Sequence, residues 1–276
     1  MKKKLKPLCK WSGGKRDEIK TFSNFYPKEF KRFIEPFAGG AAVFFDINFH
    51  GENVINDIHP ELINFYRQIK LGNATKIYNV LKSFGNTEED YYIVRGGGKK
   101  LSEDKKIFIP KNKIDEAARF IYLRKTCFRG MLRYNQNGKF NVPWGRYKTL
   151  NFEDLLNKDY TNLFKRTEVM EGDYKSVFDK YNGEENFFFI DQPYDSVFND
   201  YGGDNFSRDN QLELFQKFIS TKSKCLMIVG GSEFIRNLYS DYIKFEYPKK
   251  YSFKIHSGRI GNEINVNHLI ITNYDV

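Results

Sequence analysis

Four consecutive residues, Asp191-Gln192-Pro193-Tyr194, follow the apolar run Phe187-Phe188-Phe189-Ile190. A short, fully apolar run of this kind reads as a buried strand of a parallel sheet. In open α/β sheets, ligands sit beyond the carboxyl ends of such strands. The run therefore delivers a carboxylate, a turn proline and an aromatic ring to the place where chemistry is expected. Those groups suit a flat, amine-bearing substrate such as a nucleobase.

A second constellation lies upstream. Glu35-Pro36-Phe37-Ala38-Gly39-Gly40 follows a strand-like run that begins at Arg32. Its small residues let a ligand approach the backbone closely, although the pattern is not G-x-G-x-x-G. Asp57 ends the next strand-like run, Asn53-Val54-Ile55-Asn56-Asp57, and stands 18 residues after Gly39. That spacing suits an acidic residue that binds ribose hydroxyls. The alternative for Asp57 is a helix N-cap, because Pro60 opens a helical pattern just beyond it. Trp11-Ser12-Gly13-Gly14-Lys15 lacks the P-loop pattern. It still offers flexible backbone, an aromatic face and a cation.

These groups need elements to hold them. The runs at 32–37 and 53–57, each followed by a helical pattern, begin a doubly wound sheet. Residues near 66–130 are mostly helical in pattern, interrupted by the basic, glycine-bearing loop Arg95-Gly96-Gly97-Gly98-Lys99-Lys100. Asn137-Gly138 between strand-like flanks predicts a hairpin with a type I′ turn, which needs positive φ at both positions. Such a hairpin, carrying Arg133, Asn135 and Lys139, suits a DNA major groove. Strand and helix patterns then alternate again: strands at 167–170, 187–190, 225–229 and 266–273, and a helix over 208–220. The sheet is split by an insertion of roughly 90 residues, longer than an ordinary connection and so expected to be a subdomain. We expect residues 1–65 and 156–276 to form the catalytic and cofactor-binding domain, and 66–155 a target-recognition domain.

Composition agrees with a polyanionic partner. The 276 residues carry 45 Lys and Arg against 35 Asp and Glu, a net charge of +10, which favours nucleic acid. Cys9, Cys127 and Cys225 are scattered and odd in number, so neither a disulfide framework nor a zinc cluster is expected. A reducing intracellular compartment follows, in a cellular or a virus-encoded protein. His50, His59, His256 and His268 lie far apart, without metal-ligand spacing, and read as surface or structural residues. The N-terminal MKKKLKPLCKW lacks the apolar core of a signal peptide, and no apolar stretch approaches membrane-spanning length.

Taken in order, these segments resemble the Dam-type, D12 class of DNA adenine-N6 methyltransferases over nearly the whole chain. Lys10-Trp11-Ser12-Gly13-Gly14-Lys15 is similar to the family's KW-x-GGK segment, and Ile34–Gly40 to its EPF-x-G methionine-binding loop. Asn56-Asp57-Ile58 resembles the acidic strand end that binds ribose. Arg133-Tyr134-Asn135 with Gly138–Tyr147 closely resembles RYN…GxFNVPFGRY, and Asp191–Tyr194 the catalytic DPPY. The resemblance implies a Rossmann-like class I methyltransferase sheet with an inserted, mostly helical DNA-recognition subdomain carrying a hairpin. It implies S-adenosyl-L-methionine as cofactor and double-stranded DNA as partner, and it leaves open a cognate restriction endonuclease. By the same resemblance Trp11, Lys15, Glu35, Phe37, Ala38, Gly39, Gly40, Asp57 and Asp191 bind the cofactor. Asp173 and Tyr174 fall where the family holds its adenine; a helix cap and a core aromatic are their structural alternatives. Phe128, Arg129, Met131, Arg133, Asn135, Lys139, Pro143 and Tyr147 fall on DNA-contacting positions. Arg129 and Met131 stand where the family has a polar amide and a leucine, so the expected target is GATC or a close relative.

The resemblance also assigns chemistry. Asp191 and the main-chain carbonyl of Gln192 would hold the two amine hydrogens of adenine, Pro193 would shape the turn and Tyr194 would stack on the base. Gln192 departs from the family's proline. Pro193 still biases it toward an extended shape, so we expect activity to be retained; a catalytically impaired, DNA-binding relative is the alternative. A nicotinamide-type oxidoreductase would account for the glycine loop and Asp57, but not for the hairpin or Asp191–Tyr194. A noncatalytic DNA-binding protein would account for the charge, but not for the cofactor residues.

Overall fold

Strands form at each predicted apolar run, and one more forms over Ile243–Lys250. They are β1 (Arg32–Glu35), β2 (Glu52–Asp57), β3 (Thr167–Glu171), β4 (Asn186–Ile190), β5 (Lys224–Gly230), β6 (Ile243–Lys250) and β7 (Asn265–Thr272). The computed structural model describes residues 4–98, 101, 105–194, 206–250 and 265–276. The helices are α1 (Ile19–Phe22), α2 (Ala42–Ile47), α3 (Pro60–Lys70), α4 (Ala74–Lys82) and α5 (Glu88–Arg95). They continue with α6 (Lys113–Thr126), α7 (Lys158–Lys165), α8 (Tyr174–Lys180), α9 (Arg208–Ser220) and α10 (Glu233–Leu238). The strand order is β3-β2-β1-β4-β5-β7-β6, a seven-stranded, mostly parallel sheet of the Rossmann-like α/β class.

The chain divides into two compact units. The first comprises Met1–Asp17 and Ala38–Asp173. In it β2 pairs parallel with β3, and the helices α3 to α6 follow. Pro60 occupies the first turn of α3, where its missing N–H costs nothing. Thr87 and Asp90 close a capping box at the start of α5. Gly96, at φ +96°, ends that helix in the left-handed region. The basic patch expected at 95–100 is not a free charge cluster at Arg95. The Arg95 guanidinium donates to the carbonyls of Gly97 and Val142. Lys99 and Lys100 lie outside the described residues.

The second unit comprises Glu18–Phe37 and Tyr174–Val276. Here β4 lies between β1 and β5, parallel to both, and β7 runs antiparallel to β5 and β6. Every residue of β4 is buried, as its unbroken apolar run requires of a central parallel strand. Phe188 stacks on Phe178 of α8, ring centroids 4.5 Å apart, and Phe189 on Phe22 of α1 at 5.4 Å. The sequence reading did not anticipate β6. Its signal is an alternation, Ile243-Lys244-Phe245-Glu246-Tyr247, and its Pro248 is tolerated because β6 is an edge strand. No helix among the described residues is long and apolar enough to cross a membrane.

This arrangement makes the phenylalanine run of β4 the support for whatever follows Ile190. Phe188→Ala is expected to cost about 3–5 kcal/mol of stability through lost burial and a cavity. Urea unfolding monitored by circular dichroism reads this directly. A loss below about 1 kcal/mol would mean that the ring is not packed as described.

Candidate functional site

In the first unit, the turn leading into α2 is held by one carboxylate. Asp57 Oδ2 accepts from the Gly39 N–H at 2.8 Å, and Oδ1 accepts from the His59 N–H at 2.9 Å. Ala38 donates to the Asn56 carbonyl, and the Tyr66 hydroxyl donates to the Gly39 carbonyl at 2.7 Å. Burial pushes the Asp57 carboxyl above the usual carboxylate range, against the pull of the backbone N–H groups of His59, Gly39 and Ile58. The N-cap of α3 is therefore not Asp57. It is His59, whose Nδ1 accepts from the Leu62 N–H at 3.3 Å. Asp57 braces the turn instead.

Gly39 lies at φ +46°, and a Cβ there would meet the Trp11 indole at 2.6 Å. At Gly40 a Cβ would meet Trp11 Cβ at 2.9 Å. The small residues are thus required by Trp11 itself, beyond any ligand. The buried Arg124 guanidinium lies 4.8 Å over the Trp11 ring and donates twice to the Lys10 carbonyl, at 3.1 and 2.7 Å. Lys15 is buried, and its Nζ donates to the Gly13 carbonyl at 2.9 Å. The donor set fits a ribose-bearing cofactor. A carboxylate offers about four lone-pair sites, and the N–H groups of Gly39, His59 and Ile58 take three of them, which leaves an acceptor for a hydroxyl.

The recognition-type segment is also in the first unit. The predicted type I′ turn is not formed. Of its two central residues, Gly138 alone has positive φ, at +69°. Gly138 donates to the Asn135 carbonyl, and Asn135 donates to the Lys139 carbonyl, both at 2.9 Å. This is a type I turn followed by a left-handed glycine. The Asn135 side chain explains it: its Oδ1 captures the N–H groups of Asn137 and Lys139, which widens the loop. A single antiparallel bridge, Tyr134 to Phe140, closes the hairpin.

Side chains alternate along this segment. Tyr134 turns inward and donates to the Glu61 carboxylate. Arg133, Asn135 and Lys139 are exposed. Asn141 accepts the Arg133 Nε–H at 2.7 Å through its side chain and an Nη2–H at 3.3 Å through its carbonyl, which orients the guanidinium. Phe128, Arg129 and Pro143 are exposed, while Met131 and Tyr147 are half-buried. The Arg129 guanidinium lies 5.2 Å over the Phe128 ring, and Lys10 Nζ lies 3.5 Å over the Tyr147 ring.

His59 joins these two groups of residues. Because Nδ1 accepts from Leu62, the neutral ring carries its proton on Nε2. Nε2–H then donates to the Tyr134 hydroxyl at 3.1 Å, and that hydroxyl passes its own proton toward Glu61. Burial, with the Arg124 charge, holds the imidazole pKa down at about 4.

The second unit carries Asp191–Tyr194 directly after β4. Asp191 and Tyr194 are half-buried, Pro193 is exposed and Gln192 is buried. The Tyr194 ring lies beside Gly230 at the end of β5 and meets His268 of β7 edge-on, with centroids 5.3 Å apart. His268 is bound through Nδ1 to the buried Glu18 at 2.6 Å, a structural histidine in the interior. His256 lies outside the described residues. Phe37 and Tyr174 pack with centroids 4.9 Å apart, and Phe206 contacts both at 5.8 Å. Tyr174 is a core aromatic at the start of α8, whereas Asp173 is exposed. Glu35 is buried at the end of β1.

Sequence reasoning missed Arg124, Phe206 and Gln211. Only Gln211 left a clear signal: it shares the inward stripe of α9 with Leu214 and Phe218. A polar amide on such a stripe marks a buried hydrogen-bond partner.

Comparison with known proteins bears directly on this geometry. A sequence model of the D12 class of N6 adenine-specific DNA methyltransferases matches residues 11–257. The Type II methyltransferase M.CviBI of Paramecium bursaria Chlorella virus NC1A is 51% identical over 271 residues, covering 98% of this chain and 100% of the relative. The Type II methyltransferase M1.LlaDCHI of Lactococcus lactis subsp. cremoris is 31% identical over 285 residues, covering 98% and 96%. A DNA adenine methylase of Vibrio cholerae is 28% identical over 221 residues, covering 77% and 75%.

The depressed pKa of His59 has a signed consequence. The folded state excludes a proton that the unfolded chain binds below about 6.5, so stability is lost as pH falls from there toward 4. His59→Asn keeps an N-cap acceptor and removes the titration. Its loss of stability between pH 6.5 and 5, read by urea unfolding, is expected to be smaller than that of the parent. Parallel profiles would refute this.

Proposed function

The chain belongs to the D12 class of N6 adenine-specific DNA methyltransferases, and on that premise we propose that Asp191-Gln192-Pro193-Tyr194 is its methyl-acceptor site. The observation that carries this is the placement of Asp191 directly after β4, a strand buried along its whole length. The exocyclic amine of adenine is a poor nucleophile, because its lone pair is delocalised into the ring. Asp191 accepts one amine hydrogen and the Gln192 carbonyl the other, which turns the lone pair out of conjugation. As the amine gains positive charge, the Asp191 carboxylate stabilises it. Tyr194 stacks on the base after it leaves the duplex, offsetting part of an unstacking cost of about a few kcal/mol.

S-adenosylmethionine is the methyl donor and supplies an electrophilic methyl group. Asp57 receives its ribose hydroxyls. Trp11, Lys15, Glu35, Phe37, Ala38, Gly39 and Gly40 hold the methionine part, and Asp173 and Tyr174 hold the adenine. The chain's own contribution to rate is largely positioning.

Residues 66–155 serve as the target-recognition part. Arg133, braced by Asn141, reads a guanine, as arginine commonly does; Phe128, Arg129, Met131, Asn135, Lys139, Pro143 and Tyr147 complete the DNA contacts. The target is GATC or a close relative. The names of the two Type II relatives support pairing with a restriction endonuclease of the same site, and the chlorella-virus relative supports a viral source.

Two measurements test this reading. Expression in methylation-free cells, followed by sequencing that detects N6-methyladenine, is expected to show methylation centred on GATC-like sites. Methylation confined to sites without guanine would remove Arg133 as a guanine reader. Asp191→Asn is expected to lower the methylation rate by at least about a hundredfold, consistent with loss of about 2.7 kcal/mol of transition-state stabilisation. Tyr194→Ala is expected to reduce turnover far more than S-adenosylmethionine affinity. Full activity in Asp191→Asn would overturn the site assignment.

A further inference from the structure

Beneath the tetrapeptide lie two buried primary amides, Gln192 and Gln211, 1% and 0% exposed. Gln211 of α9 donates from Nε2 to the Pro193 carbonyl at 2.9 Å. A carbonyl can only accept, so this bond fixes which way the Gln211 amide points. Its Oε1 must then face Gln192, and Gln192 must present its own Nε2, 3.4 Å away. The same Nε2 lies 3.3 Å from Met227 Sδ on β5. Gln192 Oε1 has no hydrogen-bond partner among the described residues. The chain of donors therefore runs one way, from Gln192 through Gln211 to the Pro193 carbonyl.

We propose that Gln211 is the positioning residue of the Asp191–Tyr194 turn, and that Gln192 is its matched partner rather than a neutral replacement for proline. The proposal rests on the reading of that turn as the methyl-acceptor site. A proline at 192 would fix φ covalently near −65°. Gln192 has no such ring, and its backbone is held from both sides instead. Pro193 restricts it to an extended conformation, and its buried side chain is tied to Gln211. Fixing the Pro193 carbonyl sets the direction in which the chain leaves toward Tyr194. The direction of the Gln192 carbonyl depends on the same short stretch of backbone. Reactive geometry is sensitive to misplacements of about 1 Å, so a side-chain clamp on the peptide between Gln192 and Tyr194 is enough to govern turnover.

The test is a set of variants of the full chain. Each is assayed for single-turnover methyl transfer from tritiated S-adenosylmethionine to methylation-free duplex DNA, with dissociation constants for cofactor and DNA measured in parallel. Gln211→Leu removes the clamp and is expected to slow transfer about tenfold or more, with both dissociation constants within about twofold of the parent. Gln211→Glu keeps the shape but donates to the Pro193 carbonyl only when protonated. Its rate relative to the parent is expected to rise as pH is lowered, a dependence that a merely space-filling role would not produce. Gln192→Pro strands Gln211 Oε1, so it is expected to slow transfer in the parent and to add little in the Gln211→Leu background.

A Gln211→Leu rate within twofold of the parent, or rates that multiply independently in the double variant, would overturn the proposal. If Gln211→Leu does not fold, the pH dependence of Gln211→Glu decides, and a flat ratio overturns it. Asp191→Asn is the control. If it retains activity, the site reading itself has failed; if it is inactive while Gln211→Leu is normal, only the present proposal has.

Discussion

The bracing of the Gly39 turn by Asp57 is the constraint on which the packing around Trp11 and the start of α3 depends. One carboxylate accepts from the turn and from the residue that caps α3. It thereby sets the end of β2, the entry to α2 and the start of α3 against each other. Burial disfavours a charge there, and the N–H groups compensate for lost water. The turn in turn admits only glycine, because the Trp11 ring occupies the space a Cβ would need. Arg124 also fixes Trp11, lying over its ring and holding the Lys10 carbonyl. The Asp57 carboxylate, the Trp11 ring and the glycine turn are one mechanical assembly, in which a change to one part is felt by the others.

The same dependence reaches the hairpin of that unit. His59 caps α3 through one nitrogen and meets Tyr134 of the hairpin through the other. The tautomer that makes the first bond compels the second. Alternation along the strand then decides which residues face outward: with Tyr134 drawn in, Arg133 and Asn135 are exposed. Asn135 is largely spent on shaping its own turn, whereas Arg133 is oriented by Asn141. Of the two, Arg133 is the side chain whose exposed end is held in one orientation.

Much of the architecture was legible because it rests on local pattern. The β4 run, the first-turn proline of α3 and the helix over 208–220 all follow from periodicity and capping. What was not legible depends on contacts between distant residues. Asp57 reads equally well as a cap or a ligand until Gly39, 18 residues away, is seen bonded to it. The Asn137-Gly138 pair predicted one turn, and a side chain two residues earlier selected another. His268 read as a surface or structural residue, and its burial against Glu18, 250 positions distant, makes it the second. β6 was missed although its alternation was present, because charged residues and a proline masked it.

Gln192 shows why such contacts matter for reading a motif. Judged by position alone, replacing a proline by glutamine loosens a turn, since φ is no longer fixed by a ring. Burial changes the comparison. A polar amide brought into the interior must be hydrogen-bonded or it is costly; Gln211 accepts from its Nε2 while binding the next carbonyl along, and its Oε1 has no partner among the described residues. The turn exchanges a covalent restraint on one torsion for a directional hydrogen-bond chain acting on its neighbour. The two kinds of restraint differ in what they tolerate. A proline restrains its turn whatever lies beneath it, whereas the amide chain works only while both glutamines are present with their dipoles aligned. A motif written as a string of residue types therefore omits the residue that, on our reading, supplies its rigidity in this chain.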